Sequence, residues 1–293
     1  MPAPSARVAG RDAEPVAEEV SLEIAAPSRI KTGPTRTERL MHSPLGTILP
    51  VIAVILLWEI GSALGVIDPI FFPAPSRIAR ALVHLVQEGV IAQHLGITIR
   101  RVALGFTIGT VPAVAIGVLM ARIGWLSALL DPLISLTYPI PHIAILPLLL
   151  VIFGLGSPPI IALSAIVCFY PAIVNTLAGV RQVDERLVMM ARNLGASNRQ
   201  ILWKIALPGA LPTIFAGLRL GLGLALLGAV AGEFVAASDG IGAQTWIYWQ
   251  IYQIDNMYAT LIVIVTIGFL TTNAMLAIER RFFGWSKATQ KQL

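Results

Sequence analysis

Six long apolar blocks are separated by more polar segments along the chain. They cover residues 47–65, 102–120, 126–153, 160–180, 211–234 and 257–278. A helix rises about 1.5 Å per residue and the hydrocarbon core of a bilayer is about 30 Å thick, so a spanning helix needs about 20 mostly apolar residues. The pattern therefore predicts an all-α integral membrane protein with six transmembrane helices.

Composition points to the same class. The 293-residue chain is 56% hydrophobic and only 13% charged, whereas soluble domains carry about 25% charged residues. Its net charge is +5, but the basic residues flank the apolar blocks instead of clustering on one face. That placement is typical of membrane topology signals and not of nucleic-acid binding, so no nucleic-acid partner is expected.

The basic residues also predict the side of the membrane on which each terminus lies. The segment before the first block holds Arg7, Arg11, Arg29, Lys31, Arg36 and Arg39, and the chain ends with Arg280, Arg281, Lys287 and Lys291. Because Lys and Arg accumulate on the cytoplasmic side, both termini and the basic loop between the fourth and fifth blocks are predicted to be cytoplasmic. Residues 1–46, rich in Pro, Ala and Ser, are expected to form a disordered tail, and residues 279–293 a short C-terminal tail.

Residues 66–93 fall on the periplasmic side of this topology and contain a predicted amphipathic helix. Its apolar positions are Ile78, Leu82, Leu85 and Val86, interrupted by Arg77, Arg80 and Glu88. Arginines on this side depart from the usual charge bias. The helix is expected either to lie along the outer membrane interface or to pack as an extramembrane helix.

The third block contains four prolines, Pro132, Pro139, Pro141 and Pro147. Helix-breaking residues are tolerated at membrane depth where neighbouring helices or a water-filled cavity satisfy the freed backbone groups. The kinks either border a transport pathway or serve packing alone, and the residues leave both open. Pro139, Pro141 and Pro147 are therefore candidate pathway or gate residues.

The loop between the fourth and fifth blocks has a helical pattern. One face consists of Leu187, Met190, Ala191 and Leu194. Gly195 follows, and a glycine there can take the left-handed conformation that closes a helix. A second short helix, through Ile201 and Ile205, is predicted to end at Pro208, whose ring cannot continue the hydrogen-bond ladder. From the residues alone, this helix-turn-helix is either gripped by a soluble partner or rests on the membrane surface.

This loop resembles the EAA-loop signature of ATP-binding-cassette (ABC) importer permeases. The matching run is Ala191-Arg-Asn-Leu-Gly195-Ala196, with nine residues between Gly195 and Ile205, and then Ile205-Ala-Leu-Pro208. The resemblance implies a type I importer permease fold whose cytoplasmic coupling helix docks into a groove on an ATP-hydrolysing subunit. It assigns docking to the loop 187–208 at the matching positions Ala191, Gly195, Ile205, Leu207 and Pro208. The further docking candidates in the same loop are Leu187, Met190 and Ala196. The family's usual glutamate and alanine are Met189 and Met190 here, so docking is expected to rest more on apolar contact.

The resemblance extends from about His94 to Trp285 and implies a permease domain with five transmembrane helices at residues 94–278. Its further motifs are the runs 101–106, 139–147, 175–181 and 232–234. They look like the branch that imports nitrate, sulfonates and taurine, and Asn175 is one more candidate pathway residue. That branch implies a periplasmic or lipid-anchored solute-binding protein, two ATP-binding subunits, a second permease copy in a homodimer, and a bacterial inner membrane. A pyrimidine or an aromatic acid is the alternative solute.

Two charged residues in the fifth block are further candidates, because ionisable groups inside a membrane are costly. Arg219 either attracts an anionic solute or extends to the cytoplasmic headgroups, and the second interpretation is preferred. Glu233 either shapes an outer gate or contacts the binding protein, or it is a helix-end carboxylate in interfacial water. The residues alone leave the role of Glu233 open.

Other functions lack the residues that they need. None of the four lysines follows a glycine, so the chain has no P-loop, and ATP is expected to be bound by the partner subunit. One cysteine and four scattered histidines form no ligand motif, so no cofactor or metal is expected in this chain. An ion-coupled secondary transporter would favour internal repeats and mid-membrane acids, and an intramembrane enzyme would need a nucleophile with a base. The chain is therefore predicted not to be an enzyme.

Overall fold

A computed structural model describes the backbone of residues 44–282 and the side chains of residues 49–281. This part of the chain is helical. In chain order, the helices are α1 (Pro44–Ala63), α2 (Pro75–Gln87), α3 (Val90–Arg122), α4 (Gly124–Thr137), α5 (Leu146–Phe153), α6 (Ser157–Arg181), α7 (Glu185–Asn193), α8 (Asn198–Ile201), α9 (Leu207–Ala236), α10 (Ile241–Gln250) and α11 (Ile254–Phe282). The predicted tail of residues 1–46 and the predicted C-terminal tail of residues 279–293 lie mostly outside the described residues. The part of α1 before Val54 belongs to a separate compact unit, and the contacts below concern residues from Val54 onward.

Four stretches among the described residues are long and apolar enough to cross a membrane: α3, α6, the run Asn198–Ala236 and α11. A fifth is added if α4 and α5 form one broken span. The described apolar part of α1, Leu49–Ala63, is shorter than these stretches. The predicted class, an all-α membrane protein, is therefore confirmed, whereas helix length alone does not give the predicted number of six.

The predicted third span is not one continuous helix. α4 and the stretch His142–Phe153 meet at an angle of 91°. Pro139 and Pro141 explain the break, because neither has an N–H to donate and each ring blocks the preceding turn of a helix. Pro141 is extended, with ψ of 97°. Pro147 lies in the first turn of α5, where a missing N–H costs little.

Helices α3, α6 and α9 run alongside one another and form the core of the bundle. At one end, the Arg122 Nη2 atom of α3 donates to the Asn198 carbonyl at 3.3 Å. At the other end, the Arg101 Nε atom of α3 donates to the Ser157 hydroxyl at the start of α6, at 3.0 Å. We call the end with residues 182–206 the loop end and the opposite end the distal end.

Glycines let these three helices approach closely, as small residues do in membrane bundles. A Cβ atom on Gly109 of α3 would lie 2.3 Å from the Ala165 carbonyl oxygen of α6. On the other face of α6, a Cβ atom on Gly217 of α9 would lie 2.4 Å from the Asn175 Cβ atom. Helix α6 is therefore held between α3 and α9 at distances that leave no space for larger residues.

The predicted amphipathic helix corresponds to α2, and its apolar side is packed. Ile78 and Leu85 are buried in the same apolar core as residues of α6 and α9. At its start, the Ser76 N–H and hydroxyl donate to the Glu59 carboxylate at 2.9 and 2.7 Å. Of the two predicted arrangements, a helix along the membrane interface or a packed helix, Ile78 and Leu85 show the packed one, although Val86 is exposed.

Candidate functional sites

The helix α7 carries an exposed apolar face at the loop end. Leu187, Met190 and Leu194 are 51%, 62% and 82% exposed, and we call these three residues the apolar face of α7. Ala191, on the same side, is partly buried. Large apolar side chains grouped on a protruding helix are typical of a contact surface for another molecule.

Helix α7 has a defined start and a defined end. Asp184 caps its first turn by accepting a hydrogen bond from the Arg186 N–H at 2.8 Å. At its end, Gly195 has φ of +81°, and the Ala196 and Gly195 N–H groups donate to the Ala191 and Arg192 carbonyls, each at 2.9 Å. This pair of bonds closes a helix through a left-handed residue, which glycine adopts without strain. The predicted stop at Gly195 is the one observed.

The predicted second short helix does not end at Pro208. Helix α8, the π-helical turn Leu202–Ala206 and α9 follow one another without a break, so the stretch Asn198–Ala236 is one helix of 39 residues. Pro208 lies in the first turn of α9, and the π-helical turn before it accommodates the missing N–H. The second half of the loop, from Asn198 onward, is therefore continuous with α9.

Three of the docking residues predicted after Gly195 lie on this continuous helix, and Ala196 lies in the turn before it. Ala196, Ile205, Leu207 and Pro208 are all partly buried. A capping box fixes the start of α8, because the Ser197 hydroxyl accepts from the Gln200 N–H and the Gln200 side chain accepts from the Ser197 N–H. These residues support the loop, whereas its exposed large apolar side chains lie mostly on the apolar face of α7, with Trp203 of the π-helical turn also exposed.

Asn175 and Arg219, predicted separately as pathway residues, line the same cavity of about 500 Å³. Thr272 of α11 also lines it. The Arg219 Nη1 atom lies 2.9 Å from the Glu279 Oε2 atom, so this guanidinium forms an ion pair with α11. Sequence reasoning missed Glu279 because the residue falls in the predicted C-terminal tail.

The three candidate prolines lie elsewhere in the structure. Pro139, Pro141 and Pro147 are exposed at the break between α4 and α5. They do not line the cavity that contains Asn175 and Arg219. With Glu233, described next, the structure therefore divides the predicted pathway and gate residues among three places.

Glu233 lies in a buried charged cluster at the distal end. Its side chain is 0% exposed and its Oε1 atom is 2.8 Å from the Arg101 Nη1 atom. The Thr98 hydroxyl and the Gly242 N–H donate to the same carboxylate, each at 2.9 Å. The alternatives of a carboxylate in interfacial water and of a direct contact with the binding protein are both wrong, because no part of this side chain reaches the surface.

Arg101 completes the cluster, and sequence reasoning did not identify its role. Its side chain is 2% exposed and forms a second ion pair, with the Asp239 carboxylate. The same guanidinium donates to the Asp239 carbonyl at 2.7 Å. One signal could have revealed it: Arg101 departs from the expected charge bias, and Glu233 is an acid on a neighbouring span at the same end.

Two solved structures share this fold. A chain of the MetNI methionine ABC transporter, in an inward-facing conformation, matches 67% of this chain and 97% of its own length, with a TM-score of 0.60 and 20% identity. A chain of an amino acid ABC transporter with histidines matches 69% of this chain and 96% of its own, with a TM-score of 0.55 and 20% identity. The chain therefore shares the fold of these two ABC transporter chains.

Sequence comparisons then give the family. Residues 113–284 match the family described as the binding-protein-dependent transport system inner membrane component, and the chain belongs to it. A putative aliphatic sulfonates transport permease of Bacillus subtilis is 34% identical over 240 residues, which are 82% of this chain and 87% of that protein. The taurine transport system permease of Escherichia coli is 32% identical over 251 residues, 84% of this chain and 90% of that protein. Members of this family are transport components and not enzymes.

Proposed function

We propose that the chain is the permease subunit of an ABC importer for a small organic anion, with an aliphatic sulfonate or taurine as the first candidate. Family membership supports the transporter class, and relatives named for sulfonate and taurine transport support the solute class. A riboflavin transport system permease of Chloroflexus aurantiacus is also 32% identical, over 206 residues. A larger neutral organic solute is therefore the alternative that the experiment must exclude.

The observation that carries the proposal is the exposed apolar face of α7 on a helix that is fixed at both ends. In the proposed mechanism, two ATP-binding subunits dock on the loop 187–208, one on each permease copy. Closure of the ATP-binding subunits displaces α7. Because Asn198–Ala236 is continuous and Arg122 bonds to Asn198, the displacement tilts α9 and α3 together.

The remaining partners and the orientation follow from the importer class. A second permease copy completes the pathway as a homodimer, and a periplasmic or lipid-anchored solute-binding protein delivers the solute to the distal end. The loop end faces the cytoplasm, which puts both termini there as well and makes the chain a multi-pass protein of the bacterial inner membrane. Arg186, Arg192, Arg199 and Lys204 support this orientation, because they make the loop basic.

The cavity lined by Asn175 and Arg219 suits a transient site for an anion on its way to the cytoplasm. The Arg219 guanidinium supplies positive charge with several N–H donors, and the Asn175 side chain supplies an amide. Glu279 competes with the solute for Arg219, because its carboxylate already forms an ion pair with the guanidinium. This step moves no covalent bond, so the residues act by attraction and competition only.

Reconstituted transport tests the function. The chain is purified with the ATP-binding subunit and the binding protein from the same operon and placed in proteoliposomes, and uptake of radiolabelled taurine, an alkyl sulfonate and riboflavin is compared. We expect uptake of taurine or the sulfonate that requires ATP, with little uptake of riboflavin. Uptake of riboflavin alone would reassign the solute, and uptake driven by an ion gradient without ATP would contradict the importer class.

Arg219→Gln is expected to lower the rate of sulfonate uptake about tenfold, because a hydrogen bond to a charged group contributes about 1.5–3 kcal/mol. Glu279→Gln breaks the same ion pair but leaves Arg219 free, so it should leave uptake unchanged or raise it. Uptake rates in proteoliposomes, at matched protein content, measure both. Equal losses in the two variants would mean that the ion pair only holds α9 to α11.

A further inference from the structure

The start of α10 is held by side chains from other helices. The first N–H groups of a helix have no partners within it and need acceptors from elsewhere. No side chain of its own N-cap residue supplies one. Instead, the Gly240, Ile241 and Gly242 N–H groups donate to the His94 imidazole, the Thr98 hydroxyl and the Glu233 carboxylate, at 3.1, 2.9 and 2.9 Å.

The turn before α10 packs so closely against α9 that neither Gly240 nor Gly242 has space for a side chain. Gly240 has φ of +101°, and a Cβ atom there would lie 2.4 Å from the Glu233 carboxylate. A Cβ atom on Gly242 would lie 2.8 Å from the Val230 carbonyl oxygen. The turn between α9 and α10 therefore packs directly against the Glu233 side chain, which fixes the position of the turn.

The buried negative charge of Glu233 explains why Arg101 is part of the same cluster. A carboxylate at a helix N-terminus is favourable, but a buried carboxylate needs a compensating charge. Arg101 provides that charge and also bonds to Ser157 of α6 and to Asp239 in the turn. The cluster of Arg101, Glu233 and Asp239, which we call the distal latch, thus joins α3, α6, α9 and the start of α10.

Helix α10 presents aromatic residues at the distal end. Its Trp246 ring stacks on Phe234 of α9 at 5.8 Å and lies 4.7 Å from Trp249. Both tryptophans are more than one-third exposed. Helix α10 therefore carries exposed aromatic rings at the distal end, and the distal latch fixes the position of this helix.

We infer that Arg101 and Glu233 are positioning residues for transport: they fix α10 to the core, so that tilting of α9 and α3 at the loop end moves α10 at the distal end. This inference rests on the proposed function, which puts the distal end on the side where the solute-binding protein docks. The latch stays closed throughout the cycle, and α3, α6, α9 and α10 move as one body. ATP hydrolysis and the response to the loaded binding protein are coupled through it.

Stimulation of ATP hydrolysis by the solute-loaded binding protein tests the inference in proteoliposomes. Glu233→Gln keeps the size of the side chain and removes its charge. We expect basal ATP hydrolysis within about twofold of wild type, because the loop end is intact, and a loss of at least tenfold in both stimulation and solute uptake. Wild type must show both activities first, and their absence there would contradict the proposed function instead.

A charge-balanced double variant separates positioning from stability. Arg101→Gln with Glu233→Gln removes both charges of the buried pair together, so neither charge is left buried without the other, which is what makes the removal of one partner costly. We expect it to fold, to capture the ATP-binding subunit and still to lack stimulation. Recovery of stimulation in this variant would overturn the inference. If neither variant folds, Asp239→Asn, at the half-exposed edge of the latch, should lower stimulation about threefold, and unchanged stimulation would overturn the inference.

Discussion

Met190→Glu is expected to weaken capture of the ATP-binding subunit by more than tenfold. Met190 is 62% exposed on the apolar face of α7, where the proposed docking surface replaces water with apolar contacts. A carboxylate placed there loses its hydration without gaining a partner, and a tenfold loss corresponds to about 1.4 kcal/mol of binding free energy. Titration of the fluorescently labelled ATP-binding subunit onto the permease in nanodiscs measures the dissociation constant.

Met189→Glu is the matched control, since it makes the same chemical change one residue earlier. Met189 is also exposed, at 55%, but it points about 100° around the helix from Met190. It also stands where the family that this loop resembles usually has glutamate. We expect capture within about twofold of wild type. Equal losses in both variants would contradict docking through the apolar face of α7.

Gly109→Ala is expected to destabilise the bundle by about 3 kcal/mol, at the upper end of what overpacking usually costs. The added Cβ atom would meet the Ala165 carbonyl oxygen at 2.3 Å, and two packed helices cannot both move away from each other without losing the rest of their contact. For a protein of this size, such a loss lowers the thermal midpoint by roughly 10 °C. Thermal unfolding in detergent, followed by size-exclusion chromatography, measures it.

Gly96→Ala tests the same substitution on the same helix, at a position where nothing lies within 4 Å of the added Cβ atom. Alanine favours a helix over glycine by about 1 kcal/mol, so this variant should be as stable as wild type or slightly more stable. The two changes should therefore have opposite signs. A stabilising Gly109→Ala would mean that α3 and α6 do not pack as closely as described.

Hydrophobic patterning predicted most of the long helices. The predicted block 160–180 lies within α6 and the block 211–234 within α9. The reason is that a helix satisfies the backbone hydrogen bonds of about 20 apolar residues within their own segment, as a bilayer requires. The loop helix and its end at Gly195 also followed from the sequence, since amphipathic spacing and a left-handed glycine act over a few residues. The predicted helix end at Pro208 was wrong, because the π-helical turn that accommodates this proline leaves no signal in the local sequence pattern.

The pairing of distant charges could not be read from the chain in the same way. Arg101 and Glu233 are separated by 132 positions, and Arg219 and Glu279 by 60. Each residue alone fitted a surface or helix-end role. Only the approach of α3 to α9, and of α9 to α11, turns these single charges into pairs.

The sequence by itself determined the membrane class, the apolar helices, the loop with its closing glycine and the family resemblance, because these depend on composition and on short-range spacing. The tertiary structure alone decided that the third predicted span breaks at its prolines, that the loop continues into α9, and that Asn175 and Arg219 share a cavity. It also decided that the start of α10 is capped by His94, Thr98 and Glu233. The physical reason is that burial and hydrogen bonding between helices depend on how closely their backbones approach, and the glycines that permit this approach act only once the helices are packed.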